Sequence, residues 1–222
     1  MDDSPDPAER LSVRVASSSG AVRVIAEDRP DVVVDGPADE RHESGHITIE
    51  GSGGRLTVRV PTGTDVVVGA DSGAVEISGP VGHAAVTSRS GRVAVTDARS
   101  TDVRAESGSV VITGCRFECR VRGDSGRVDV VDCGAADVTT RSGRIAVRGA
   151  RGDVRAHCIS GRVAVDLDQA ADVDAETVSG SIDVRYPPGI TPRRSDATEP
   201  VGGDCVLIVR AVSGRVTVGN RR

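Results

Sequence analysis

A Ser-Gly dipeptide followed by two aliphatic residues spaced two apart recurs along the chain: Ser90-Gly91 leads into Val93 and Val95, Ser125-Gly126 into Val128 and Val130, and Ser142-Gly143 into Ile145 and Val147. From Ser72 the serines stand at 90, 107, 125, 142, 160 and 179, in steps of 18, 17, 18, 17, 18 and 19 residues, and the 34 residues from Ser179 to Ser213 have the length of two further steps. A short and nearly constant period marks stacked structural repeats, each resting on its neighbours.

Inside each period the apolar residues alternate with polar ones, as in Val75-Glu76-Ile77, Val163-Ala164-Val165 and Ile182-Asp183-Val184. This is the two-residue period of a strand with one buried face. A second short strand precedes most corners, seen in Ala85-Val86-Thr87, Asp102-Val103-Arg104, Asp137-Val138-Thr139, Asp153-Val154-Arg155 and Asp172-Val173-Asp174. Two or three strands use up the whole period, which leaves no room for crossover helices. Each repeat must therefore coil back and pair with the next copy. The expected fold is all-β, a single-domain parallel β-solenoid with rungs of 17–19 residues. Glycine at the corner tolerates a positive φ, and the serine hydroxyl can bond the turned backbone. With rungs ~4.8 Å apart, roughly ten of them make a rod on the order of 50 Å long.

Residues 1–10 (MDDSPDPAER) read as a flexible tail, and the solenoid spans 11–222. The first rungs, Leu11 to Val24 and His46 to Val60, keep the alternation, but their Ser-Gly steps at Ser19, Ser44 and Ser72 are 25 and 28 residues apart. Turns at Asp28 to Pro30 and Gly36 to Glu43 are expected to absorb the excess. Residues 187–204 carry four prolines and interrupt the strand pattern, so they read as an irregular exposed loop.

One Phe, one Tyr and no Trp leave the core to Val, Ile, Ala and other small groups. Charged residues make up 27 % with a net charge of -5, which indicates neither disorder nor nucleic-acid binding. No run reaches the ~20 apolar residues of a membrane span, and the start lacks the pattern of a secretory signal, so a cytoplasmic location is expected. Five cysteines, an odd number, argue against a disulfide framework. Cys115 and Cys133 each lie eight residues after their serine, where other repeats have Pro80, Ala98 and Ala150, and so read as stacked small corner residues. A metal site from Cys115, Cys119 and Cys133 would need a second matching pair that the chain does not have, and no metal or cofactor is expected.

The outer surface offers the candidate site. The residues after successive Ser-Gly corners are Ala74, Arg92, Ser109, Arg127, Arg144, Arg162, Ser181 and Arg215. Stacking turns them into a stripe in which Arg92, Arg127, Arg144, Arg162 and Arg215 are the candidate interaction residues. Like charges ~5 Å apart repel unless answered. Asp129 and Asp183, two residues on, are placed to answer them in part. The aspartates before the second-strand valines, Asp102, Asp137, Asp153 and Asp172, are expected to form an opposing acidic column interrupted by Arg120. Neither terminus shows an amphipathic helix, so both ends of the rod are expected to be guarded by charge alone, which allows self-association through the ends.

The runs Val58 to Val68 (VRVPTGTDVVV) and Asp71 to Ile77 (DSGAVEI), with the Ser-Gly-x-Val-x-Val units that follow, resemble the bacterial adhesin-like family, β-strand-repeat domains of unknown function. Gly20 to Val24 and Arg29 to Val34 are similar as well, and the resemblance covers Leu11 to Val218. It implies a β-repeat fold, no catalytic residues and an association with the cell envelope. The expected function is a non-enzymatic scaffold or protein-interaction module, adhesin-like. The alternatives are a self-assembling, bactofilin-like filament subunit and an enzyme with its site at the 187–204 loop.

Overall fold

The computed structural model describes residues 11–194 and 205–220. The expected tail 1–10 and the part of the Pro-rich loop at 195–204 lie outside the described residues. The described residues form thirteen strands: β1 (Ser12–Ser17), β2 (Ala21–Glu27), β3 (Val33–Asp35), β4 (Ala38–Glu43), β5 (His46–Gly51), β6 (Arg55–Pro61), β7 (Asp65–Ser78), β8 (Val81–Thr96), β9 (Ala98–Ala150), β10 (Val154–Leu167), β11 (Val173–Tyr186), β12 (Pro192–Arg194) and β13 (Cys205–Asn220). All of them belong to one mostly parallel sheet, and there is no helix among the described residues.

The Ser-Gly corners fix the register. Ser72 pairs with Ser90, Ser90 with Ser107, Ser142 with Ser160 and Ser160 with Ser179. At the corner the inward-facing positions change parity. In β10 they are Val154, Ala156 and Cys158 before Ser160-Gly161, then Val163, Val165 and Leu167 after it. Two limbs of each repeat thus share one interior, and their aliphatic side chains form a single core cluster. Gly161 shows why the corner needs glycine: its φ is +149° and a Cβ there would sit 1.8 Å from the carbonyl oxygen of Gly143. The corners stack so closely that each carbonyl fills the space where the next side chain would begin.

Three sequence expectations are corrected by the pairing. Ser44-Gly45 is not a corner of the stack; it is the turn of an antiparallel hairpin, with Glu43 opposite His46. The corner of that repeat is Gly53-Gly54, since a Cβ on Gly20 would lie 1.9 Å from the Gly54 carbonyl oxygen. Second, the repeats are not stacked in chain order at the start. The repeat β1–β2 sits between β5–β6 on one side and β7 on the other. The segment read as a turn at Gly36 to Glu43 contains β4, which runs antiparallel to β5, while β3 runs antiparallel to β6. Third, Ser179 pairs directly with Ser213, so the 34 residues between them are one repeat plus an insertion and not two periods. That insertion includes β12, which pairs with Cys205–Leu207 of β13.

The two ends of the stack therefore differ. At the β5–β6 end the interior is closed, with Ile49, Val58 and Val60 fully buried and β4 outermost, exposing Asp39 to Glu43. Charged edge strands of this kind discourage further pairing. At the β13 end Val216 is 40 % exposed, whereas its register partner Ile182 in the preceding repeat is 1 % exposed.

Candidate anion-binding face

The residue after each corner points outward because the next one, the first of the Val-x-Val pair, points in. The register confirms the stacking of these outward positions: Arg92 lies between Ala74 and Ser109, Arg144 beside Arg162, and Ser181 between Arg162 and Arg215. The arginines of this stripe are not equivalent. Arg127 binds the carboxylate of Asp129, which is only 6 % exposed and also receives Arg148 at 4.0 Å. The Asp129 hydrogen bond, with its negative charge, raises the Arg127 guanidinium above its ordinary value. Further along, Arg185 pairs with Asp183 at 2.8 Å. Both aspartates thus neutralise arginines of the face, although Asp183 serves Arg185 and not the stripe itself.

Arg144, Arg162 and Arg215 have no hydrogen bond or ion pair to a carboxylate among the described residues. They line one groove of about 640 Å³, together with Arg148, Arg185 and the carboxylates Asp166 and Asp183. Parallel strands hold Arg144 and Arg162 one repeat apart and Arg215 two repeats beyond Arg162, so the cationic positions are set by the backbone and not by flexible loops. Three unanswered guanidinium groups on one wall, each with a planar fork of donors, suit carboxylate or phosphate oxygens.

On the other limb the expected acidic column is not what forms. Arg155 lies between Asp137 and Asp174 in register, and Arg120 approaches Asp137 at 3.7 Å, so this column alternates in sign. Asp153 and Asp172 belong to a different position. The Asp172 N–H donates to Asp153 Oδ1 at 3.2 Å, the Val206 N–H to Asp172 Oδ1 at 2.7 Å and the His83 N–H to Asp65 Oδ1 at 2.7 Å. These carboxylates accept backbone donors where a limb begins, a structural role. The sequence contains the signal that separates the two groups: Asp102 and Asp137 stand five residues before their serine, Asp153 and Asp172 seven.

The cysteines are interior. Cys115, Cys119 and Cys133 are all fully buried. Their column starts with Val81 and not Pro80, because Val81 is the residue that pairs with Ala98. The Cys115 Sγ donates to the Glu118 carbonyl at 3.3 Å, and a hydrogen bond from the Cys119 thiol brings the Cys115 thiol down to about 7 in spite of burial. Burial pushes the Cys133 thiol up to about 12. Among the described residues no group of three His, Cys, Asp or Glu is placed to hold a metal ion. The described part of the Pro-rich loop, 187–194, does not line the arginine groove. No helix among the described residues is long and apolar enough to cross a membrane.

One feature of the surface escaped the sequence reading. The residue before each serine is charged through the early repeats and neutralised along the column, with Arg89 reaching Asp71 at 3.8 Å and Glu106 at 3.9 Å, and Arg141 reaching Asp124 at 3.9 Å. In the last three repeats the same position is Ile159, Val178 and Val212, exposed by 53 %, 49 % and 82 %. Reading that column down the repeats would have revealed the change.

A family model described as Toastrack DUF4097 matches residues 9–218, the stretch over which the β-strand-repeat resemblance runs. No curated protein matches the chain.

Proposed function

We propose that this chain, which belongs to the Toastrack DUF4097 family, is a non-enzymatic β-solenoid whose arginine-lined groove docks an acidic segment of a partner protein. The in-register parallel pairing of successive repeats supports the solenoid reading. Such a rod changes shape little on binding, so it serves as a platform and not as a moving part. The observation that carries the docking role is the set Arg144, Arg162 and Arg215. Arg127 and Arg185 of the same face are held by Asp129 and Asp183, and Arg92 stands apart between Ala74 and Ser109, whereas these three line one groove without an ion pair among the described residues. An acidic segment would supply the missing charge, and its affinity would fall as salt rises. The charged antiparallel strand β4 closes one end against continued parallel stacking, which favours this reading over a head-to-tail filament.

The stripe itself supplies the test. Serine occupies the same outward position at Ser109 and Ser181, so Arg144→Ser, Arg162→Ser and Arg215→Ser introduce a residue the backbone already carries there. A fluorescent polyglutamate peptide is expected to bind the purified chain at low salt and to lose at least roughly tenfold in affinity in the triple variant, the scale of one or two charge-assisted contacts. Binding that is equal in the triple variant, or no binding at low salt, would sink the proposal.

A further inference from the structure

Among the described residues, nothing covers the hydrophobic interior at the β13 end beyond Leu207. In the preceding repeat Ala175, Ile182 and Val184 are 0–1 % exposed; their register partners Val209, Val216 and Val218 are not buried. The outer edge of β13 is paired only at Cys205–Leu207, by β12, so among the described residues its backbone from Ile208 to Asn220 has no strand on that side. An unpaired edge bordering exposed valines is a ready template for another strand.

We infer that this edge pairs with the same edge of a second copy, giving a closed twofold dimer joined tail to tail. The corner at Ser213-Gly214 makes the edge self-complementary. A twofold axis through that corner lays the limb before it antiparallel along the partner's limb after it, so that Val212 faces the partner's Arg215 and Arg210 the partner's Thr217. In the same register Ala211 meets the partner's Val216 and Val209 the partner's Val218. These are all inward-facing positions, so each copy closes the other's core. Pairing from Ile208 to Gly219 stops where β12 begins to cover the edge.

Charge does not oppose this arrangement. The facing segments carry only Arg210 and Arg215, and Arg210 is already paired with Glu176 of β11 behind it. In this register Arg210 stands opposite the partner's Thr217 and Arg215 opposite the partner's Val212, so no two like charges stand directly opposite. The aliphatic stem of Arg215 covers the partner's Val212, which extends the apolar row Ile159, Val178 and Val212 across the junction. An isologous contact uses up both edges, so assembly ends at two copies. The closed, charged β4 end is consistent with that limit. This inference shares Arg215 with the anion-docking reading, but Val212→Lys leaves the arginines of the groove in place, so either reading can fail without the other.

The test is sedimentation velocity of the full chain from low micromolar to several hundred micromolar, with cysteine cross-linking. A mass of twice 22.8 kDa is expected to appear with concentration. Val212→Lys, at a position 82 % exposed, is expected to raise the dimer dissociation constant roughly tenfold while leaving unchanged the thermal midpoint read at a concentration where both chains are monomeric. In the double variant Val212→Cys, Arg215→Cys, mild oxidation is expected to yield covalent dimers, and neither single variant should do so efficiently. A chain that stays monomeric throughout, whose edge amides from Ile208 to Gly219 are nonetheless protected from hydrogen exchange, would show that its own residues cover the edge and would overturn the inference. A monomer with unprotected edge amides, open-ended oligomers, or a dimer whose double variant does not cross-link would overturn it equally.

Discussion

Replacing Gly161 by alanine probes the corner that the whole stack depends on. Gly161 has φ +149°, and an added Cβ would meet the Gly143 carbonyl oxygen at 1.8 Å, its carbon at 2.9 Å and its nitrogen at 3.1 Å. All three are backbone atoms, so no side chain can swing away. The backbone conformation alone costs ~1–3 kcal/mol for a residue with a side chain. Relieving the overlap means moving two adjacent corners apart, and each ladder hydrogen bond lost on either side of the corner adds ~1 kcal/mol. The expected total is about 3–5 kcal/mol, a large share of the ~5–15 kcal/mol that holds a domain together. Gly69→Ala is the matched control. Gly69 lies on a limb, has no positive φ, and nothing stands within 4 Å of its would-be Cβ. Alanine there is expected to be neutral or to stabilise by about 0.5 kcal/mol, because it narrows the unfolded ensemble. Urea unfolding followed by circular dichroism measures both. At ~2–4 °C per kcal/mol the thermal midpoint should fall by roughly 6–20 °C for Gly161→Ala. If the two variants differ by less than about 0.5 kcal/mol, the stacked-corner argument is wrong.

Two further outcomes follow from the interior and from the limb starts. Asp172→Ala removes the acceptor of the Val206 N–H and is expected to cost about 1–3 kcal/mol, while Asp172→Asn, which keeps an oxygen, should cost much less; equal losses in urea titrations would show that the carboxylate's charge, not its acceptor, matters. The Cys133 thiol is raised from 9.0 to about 12, so the unfolded chain ionises first and stability should fall by up to one proton's slope as pH rises from 9 to 12. Cys133→Ala, a residue the same column already holds at Ala98 and Ala150, should flatten that part of the profile relative to the parent chain; parallel profiles would refute the assignment.

Much of the architecture is legible in the repeat because its signals are local. The two-residue alternation, the Ser-Gly corner and the 17–19-residue step each depend on residues within one period, and identical periods pair in register because their corners fit only each other. The arginine stripe is legible for the same reason: position relative to the serine sets the column. What failed were readings that depended on which repeats are neighbours or on a shift between them. Asp137 and Asp153 look equivalent by their following valine but occupy columns two residues apart. Arg120 looks like an interruption of an acidic column, yet it belongs to a regular alternation with Asp137, Arg155 and Asp174.

The sequence alone determined the all-β class, the repeat length, the inward positions and the outward arginine column, since each follows from short-range sterics and burial of every second side chain. Only the tertiary structure decided that β1–β2 is inserted between β5–β6 and β7, and that among the described residues β4 covers one end while no strand covers β13 beyond Leu207, and Arg144, Arg162 and Arg215 make no ion pair while Arg127 is held by Asp129. These are outcomes of long-range pairing. Every repeat has nearly the same edge and could in principle stack on any other, so local pattern leaves the order open. The order is settled by which arrangement buries the most aliphatic surface and leaves the fewest backbone groups unpaired.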